Sequence, residues 1–404
     1  MSSEQIMTSP LDGHGHLKPA WAGVMSLALG VFGLVTAEFL PASLLTPISQ
    51  DLGVSIGAAG QSVTMTAVVG AFAGPAIVVG TSRFDRRYTL LALTSLLILS
   101  SLIAALSSGL PMLLLARGLL GIALGGFWAM SLALAMRLVP ADLMPRAMAI
   151  IMGGVSVATV CAAPVGAWVG DVMGWRFAFV ITGVLGVLTL VAQALTLPAM
   201  PSTGPANLST MADVLRRPAI RLGLATILLV VAGHFAGFTF IRPFLEDVPH
   251  FGIDGVSRVL LAFGIGGFLG NFAGGFMAER NTPLSITLAA GGIAVMALVL
   301  SFAGGSPVVA AVATGLWGFA FGALPVSVQS FINQAASDEA ESAGALMLTT
   351  FQVAISSGAV LGGVIVEAQG AAGVFMFAGL SALLGATLIG FASRARVAEA
   401  EACE

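Results

Sequence analysis

Three ionisable residues stand inside long apolar stretches: Glu38 within Thr36-Ala37-Glu38-Phe39-Leu40-Pro41, Arg117 within Leu113-Leu114-Leu115-Ala116-Arg117, and His234 within Val231-Ala232-Gly233-His234-Phe235. In hydrocarbon such a group costs about 2.5–3.5 kcal/mol on insertion scales, so it is usually there for a purpose. A carboxyl can load and release a proton. Burial disfavours its charged form and a nearby arginine favours it. If access to the pair alternates and the arginine contact loosens in one state, Glu38 can take up a proton there. The same two residues can instead be an ion pair that locks two helices together. His234 can relay a proton or hydrogen-bond a substrate, or be a buried histidine satisfied by a neighbour. The sequence names Glu38, Arg117 and His234 as candidates for proton coupling.

Residues able to face a common cavity with Glu38 and His234 are Gln61, Thr64, Phe127, Trp128, Ser131, Phe235, Phe238, Asn271, Trp317, Gln329, Phe351 and Gln352. Aromatic walls with a few amides suit a small flat substrate, although an aromatic taken alone more often packs or faces lipid. Phe127-Trp128 follows Gly125-Gly126, which leaves room beside it. A basic loop with Arg83, Asp85, Arg86 and Arg87 reads, on its residues alone, as charge that sets topology.

Other chemistry is excluded. The single lysine, Lys18, precedes Pro19, so there is no phosphate-cradling loop ending in Gly-Lys-Ser/Thr. None of the four histidines forms an HExxH pair, and no metal or other cofactor is expected. Gly264-Ile265-Gly266-Gly267 has no preceding strand, and Gly266, Gly270 and Gly274 have the spacing of a helix-packing face. The chain is therefore not read as an enzyme. The two cysteines, Cys161 and Cys403, imply no disulfide framework. A net charge of −3 points to no nucleic-acid partner.

The elements that must carry these residues are membrane helices. The 404 residues are 57% hydrophobic and 9% charged, with a mean hydropathy of +1.01. Soluble domains carry about 25% charge, so lipid must solvate much of this surface. Apolar runs, each near the roughly 20 residues that span a bilayer, predict an all-α protein of about twelve helices near 21–46, 57–80, 88–107, 111–136, 145–169, 177–197, 219–243, 255–278, 283–303, 307–333, 342–366 and 371–393. Strands of a barrel would alternate over about ten residues, and they do not. Polar residues 1–20 lead into the first helix with no cleaved signal peptide.

With the N-terminus inside, the cytoplasmic side receives Lys18, Arg83, Arg86, Arg87, Arg137, Arg146, Arg216, Arg217, Arg221, Arg280, Arg394 and Arg396, and the outside receives Arg176, Arg242 and Arg258. That bias places both termini in the cytoplasm. Glu38 then lies about 12 Å from the outer end of its helix and Arg117 about 9 Å from the outer end of its own, at similar depth. Pro41 could break the first helix locally and widen a site.

The break near 198–218, with Pro198, Pro201, Gly204, Pro205 and Arg216-Arg217-Pro218, divides the chain into a bundle over 21–197 and another over 219–393, with a cytoplasmic tail over 394–404. Gly118, Gly121 and Gly125 match Gly315, Gly318 and Gly322 at an offset of 197, and Gly166 matches Gly363 at the same offset. Parallel six-helix repeats of this kind mark the major facilitator fold.

The motifs then carry a resemblance. Gly80-Thr81-Ser82-Arg83-Phe84-Asp85-Arg86-Arg87 resembles the cytoplasmic gating loop of major facilitator transporters. Leu113 to Gly121 with Arg117 is similar to the helix 4 motif of proton-coupled members, and Gly154 to Gly170 with Ala163-Pro164 to the helix 5 antiporter motif, Ala163 standing where glycine is usual. Together with Gly174-Trp175-Arg176-Phe177 these resemble the drug:proton antiporter-1 group. Glu38-Phe39-Leu40-Pro41, Ala59-Gly60-Gln61-Ser62-Val63-Thr64, Asp85-Arg86-Arg87-Tyr88 and Leu124 to Ser131 are similar to the bacterial purine ribonucleoside exporters and their arabinose-efflux relatives. The resemblance implies proton-driven efflux of inosine, guanosine and purine analogues by a monomer in the bacterial inner membrane, with a small-molecule substrate, protons and lipid as partners. A multidrug or sugar antiporter, an uncoupled facilitator and a non-transporting receptor remain as alternatives.

Overall fold

The computed structural model describes residues 20–81, 83–140, 143–201 and 209–401. The N-terminal tail before residue 20, Ser82, Gly204, Pro205 and Cys403 lie outside the described residues. In the first half the helices are α1 (Trp21–Leu52), α2 (Ile56–Gly80), α3 (Arg86–Ala105), α4 (Leu110–Leu138), α5 (Met144–Val172) and α6 (Trp175–Thr196). A short α7 (Ser209–Arg216) follows in the connection. The second half holds α8 (Pro218–Thr239), α9 (Ile241–Asp247), α10 (Ile253–Arg280), α11 (Thr282–Ala303), α12 (Pro307–Ala335), α13 (Ala340–Gln369) and α14 (Gly373–Glu401). All but α7 and α9 are long and apolar enough to cross a membrane, which makes twelve candidate spans among the described residues. The same residues contain no strand.

Local chemistry sets the ends. Proline occupies the first turn of α4, α5, α8, α11 and α12, where its missing N–H would have had no partner. Asp85 caps α3 by accepting from the Arg87 N–H at 2.8 Å, and Asn281 caps α11 by accepting from Leu284 at 3.0 Å. Gly53 stops α1 in the left-handed conformation at φ 62°, open to a residue without a Cβ.

The two halves repeat one packing scheme. α1 lies against α5 and α6, α2 against α4, and α3 against α4 and α6. In the second half α8 lies against α13 and α14, α10 against α12, and α11 against α12 and α14. Helix starts keep the offset of 197 at Trp21 and Pro218, Ile56 and Ile253, and Leu110 and Pro307. The matched glycines keep it in their contacts as well. Gly121 and Gly125 of α4 approach Thr66 and Gly70 of α2, and Gly318 and Gly322 of α12 approach Phe263 and Gly267 of α10. Gly266, Gly270 and Gly274 likewise face the α12 backbone. Across the divide α2 packs on α13 and α5 on α10.

A Cβ on Gly121 would stand 2.5 Å from the Thr66 carbonyl oxygen and 2.9 Å from the Val69 Cβ. Gly121→Ala is therefore expected to push α4 off α2 and cost about 1–3 kcal/mol, as overpacking does. Thermal melting of the purified protein reads this as a lowered midpoint, and an unchanged midpoint would contradict the contact.

Three expectations are corrected. α1 does not end near residue 46 and does not break at Pro41; it runs through Pro41 and Pro47 to Leu52. The span expected over 219–243 is two helices meeting at Phe240, because Pro243 has no N–H for the Thr239 carbonyl and its ring would strike it. The connection also contains α7, which packs on α13 and is too short and polar to show as an apolar run. Just beyond it Arg217 donates two 2.6 Å hydrogen bonds to Asp338, in the turn before α13. The guanidinium holds the Asp338 carboxyl down at about 2, so this exposed pair is charged at physiological pH. Its contribution is present above the ordinary carboxylate value and is lost as pH falls toward 2.

Candidate substrate and coupling site

Each proline inside α1 leaves the carbonyl four residues earlier without its helical partner. For Pro41 that carbonyl is Ala37, and for Pro47 it is Ser43. A buried arginine takes each one. Arg117 of α4 donates Nη1 to the Ala37 oxygen at 2.7 Å, and Arg242 of α9 donates Nη1 to the Ser43 oxygen at 2.7 Å. Arg117 further gives Nη2 to the Glu38 carbonyl at 3.2 Å and Nε to the Ser62 carbonyl of α2 at 3.1 Å. It is 1% exposed and ties α1, α2 and α4 together through backbone.

The expected ion pair therefore takes another form. Arg117 spends its donors on carbonyls, and among the described residues Glu38 forms no ion pair. The Glu38 carboxyl lies in the field of the Arg117 charge and is approached directly by the Gln352 side chain of α13, from the other half. Arg117→Lys cannot reach three carbonyls in a fork. It is expected to cost about 1–3 kcal/mol for the acceptor left unmet, read as a lower melting midpoint in detergent; equal melting would mean that water replaces the guanidinium.

Glu38 and Arg117 line a cavity of about 10 Å³ with Phe39, Ala42, Val63, Phe235, Phe238, Thr239 and Ile355, room for roughly one water. A second cavity of the same size adjoins it, lined by Phe39, Thr159, Ala163, His234, Phe238, Phe263 and Phe321. Both lie where the halves meet. His234 is 1% exposed. Its ring stacks on Phe321 at 3.5 Å between centroids and an interplanar angle of 2°, and lies 4.9 Å from Trp317. Its Nδ1 is buried without a partner, as are Trp317 Nε1, Thr239 Oγ1, Thr64 Oγ1 and Gln352 Oε1.

Among the described residues, the charged contacts between the halves gather at one end, opposite the connection. Arg242 is 3% exposed. It bonds Asp171 Oδ1 of α5 at 2.6 Å and Glu246 Oε1 of its own helix at 2.8 Å. Glu246 accepts from Thr46 of α1 at 2.5 Å, and Glu367 of α13 accepts from Ser55, just before α2, at 2.5 Å. Asp171 Oδ2 is buried without a partner. Sequence reasoning missed Asp171 and Glu246, since charges near helix ends are ordinary, and it placed Arg242 only among the basic residues of the outer side.

The structure brings Glu38, Arg117, His234, Phe235 and Phe238 to the two cavities. Gln352 reaches Glu38, and Trp317 reaches His234 from behind. Thr64 is buried and Gln61 half-buried on α2, while Asn271 is half-buried on α10; none of the three lines either cavity. Phe127 is buried against Gly30 in the first half's own core, and Trp128 packs on that core. Phe351 packs on the second half's core, and Gln329 bonds Asn333 on α12. The Ser131 side chain lies outside the described residues. Cavity residues not foreseen include Phe39, Phe263 and Phe321, which nothing in the sequence separates from the other phenylalanines, 24 in all.

The basic loop engages its own half. Asp85 accepts from the Met200 N–H at 3.0 Å, Arg86 Nη1 bonds Thr81 at 3.2 Å, and Arg87 Nη2 bonds the Ala194 carbonyl at 2.7 Å. Arg83 is exposed.

A family model described as Major Facilitator Superfamily matches residues 27–359. The chain is 40% identical over 372 residues to the purine ribonucleoside efflux pump NepI of Escherichia coli (strain K12), and equally to that of Shigella flexneri, covering 92% of this chain and 94% of each relative. Among solved structures, a bacterial homologue of the human lysosomal transporter Spinster matches in its inward-facing occupied form with a TM-score of 0.75, and in its inward-facing unoccupied form with 0.72. Identity is 16% in both, over 92% of this chain and 96% and 95% of the two structures.

Proposed function

The chain belongs to the Major Facilitator Superfamily, and from that membership we propose that this multi-pass membrane transporter is a proton-coupled antiporter exporting purine ribonucleosides such as inosine and guanosine. The observation that carries the coupling is Glu38, a carboxyl that among the described residues forms no ion pair, at a cavity between two halves whose described charged contacts gather at one end. The resemblance to purine ribonucleoside efflux pumps supports the substrate class.

In this reading the end bearing the connection is cytoplasmic, as the basic residues argue. Residues 1–20, 198–218 and 394–404 face the cytoplasm, and the bundles over 21–197 and 219–393 rock against each other as a monomer in the inner membrane. The Arg242 cluster then seals the outer face. Glu38 protonates from outside as substrate leaves, opening inward releases the proton, and the next nucleoside enters. Arg83, Asp85, Arg86 and Arg87 latch the cytoplasmic face in the opposite state. One pH unit supplies about 1.4 kcal/mol and 100 mV about 2.3 kcal/mol per charge, so one proton suffices to export a neutral solute at least about tenfold uphill.

The test is a substrate panel in proteoliposomes: labelled inosine, an aldopentose and a cationic dye. Inosine counterflow alone supports the reading. Flux of sugar or dye without inosine would move the protein to a sugar or multidrug antiporter.

A further inference from the structure

We propose that the two adjoining cavities are the two parts of one nucleoside site, the Glu38 cavity taking the sugar hydroxyls and the His234 cavity taking the base. This rests on the purine ribonucleoside reading above and assigns residues to the parts of the substrate.

The first cavity is short of donors. The Glu38 carboxyl lines it, and beside that lining the Gln352 side chain that approaches Glu38 leaves its Oε1 buried and unpartnered. Thr239 adds an unpartnered hydroxyl. Two acceptors and a hydroxyl match a vicinal diol, whose O–H groups donate to a carboxylate and a carbonyl. Apart from Arg117, whose donors are spent on backbone carbonyls, the remaining walls are apolar and would cover one face of a sugar ring.

The second cavity is built for a flat ring. His234 lies parallel to Phe321, and Phe238 and Phe263 stack at 4.9 Å and 28°. A heteroaromatic ring entering between such faces exchanges one stack for another, which costs little. The buried, unpartnered Nδ1 of His234 supplies a directed hydrogen bond for a ring nitrogen or carbonyl, as acceptor or donor according to tautomer.

The two cavities share Phe39 and Phe238 as walls. Occupants of the two cavities would therefore be neighbours across common walls, as a base and a sugar joined by a single bond must be. Phe39, Thr159 and Ala163 come from the first half and the other walls of the aromatic cavity from the second. Each cavity now has room for one water, so the nucleoside is admitted only as the halves part.

The experiment is displacement of tritiated inosine from the purified full-length protein by inosine, 2′,3′-dideoxyinosine and uridine. For the wild type both analogues are expected to displace at least about tenfold more weakly, the worth of a charged hydrogen bond or a lost stack. Glu38→Ala should bring dideoxyinosine within about threefold of inosine and leave uridine discriminated, whereas Glu38→Gln, which still accepts a hydrogen bond, keeps most of the diol preference. His234→Phe should relax the base preference and leave the diol preference intact. Where Glu38→Ala fails to purify as a monodisperse species, Gln352→Ala carries the same diol test. Uniform loss of all three ligands, or the two losses appearing at the opposite residues, overturns the assignment while inosine binding stands. A wild type that binds no inosine overturns the purine reading itself.

Discussion

Glu38→Gln is expected to abolish gradient-driven accumulation of nucleoside while leaving the protein folded and able to equilibrate its substrate. Glutamine matches the neutral carboxylic acid in shape and hydrogen bonding but cannot release a proton. In this account Glu38 is the group that cycles between charged and neutral forms, and Arg117 holds the surrounding backbone rather than the carboxylate. The substitution therefore removes the coupling and spares the scaffold. With a gradient of one pH unit, about 1.4 kcal/mol of driving force per proton disappears, so the accumulation ratio should fall at least about tenfold, toward one. Equilibrium exchange of labelled for unlabelled inosine across the same vesicles checks that the site still works. If Glu38→Gln accumulates inosine as the wild type does, Glu38 is structural and the coupling group must be sought at His234.

The second large effect is expected at the Arg242 cluster. Arg242 bridges the halves by bonding Asp171, and it satisfies the carbonyl that Pro47 frees on α1. Removing one member of a buried pair strands the other and costs about 3–5 kcal/mol. In the proposed cycle Asp171 and Arg242 meet only while this end is closed, so the cost falls on the closed state. A loss of this size shifts the population toward the state open at that end by about 100-fold or more. The readout is a single cysteine at Ala42, a buried residue lining the Glu38 cavity, in a background with Cys161 and Cys403 replaced by serine. Labelling by a membrane-impermeant maleimide on intact cells should speed up about 100-fold in Arg242→Ala and less in Arg242→Lys, with inosine export reduced. Labelling at the wild-type rate would show that the cluster does not hold this end closed.

Much of the fold was legible because hydrocarbon imposes length. Apolar runs located all twelve spans, and the offset of 197 that paired Gly121 with Gly318 also pairs their contacts on Thr66 and Phe263. The rarity of charge in apolar runs picked out Glu38, Arg117 and His234. What stayed hidden depended on partners. Pro41 announces an unsatisfied carbonyl at Ala37, but the sequence does not say that the proline will be absorbed into a continuous α1 because an arginine 80 residues away fills the vacancy. Phe39, Phe263 and Phe321 form a cavity only through the meeting of α1, α10 and α12. Asp171 and Glu246 carry no mark of their own until Arg242 brings them together across the divide.

The central claim is exchange of nucleoside against protons, and its most direct test is accumulation of labelled inosine by everted membrane vesicles bearing the wild-type protein. The account predicts accumulation when the vesicle interior is acidified and collapse to the equilibrium level when an uncoupler dissipates the gradient. Inosine entering to the same level with and without the gradient would contradict it and leave a facilitator.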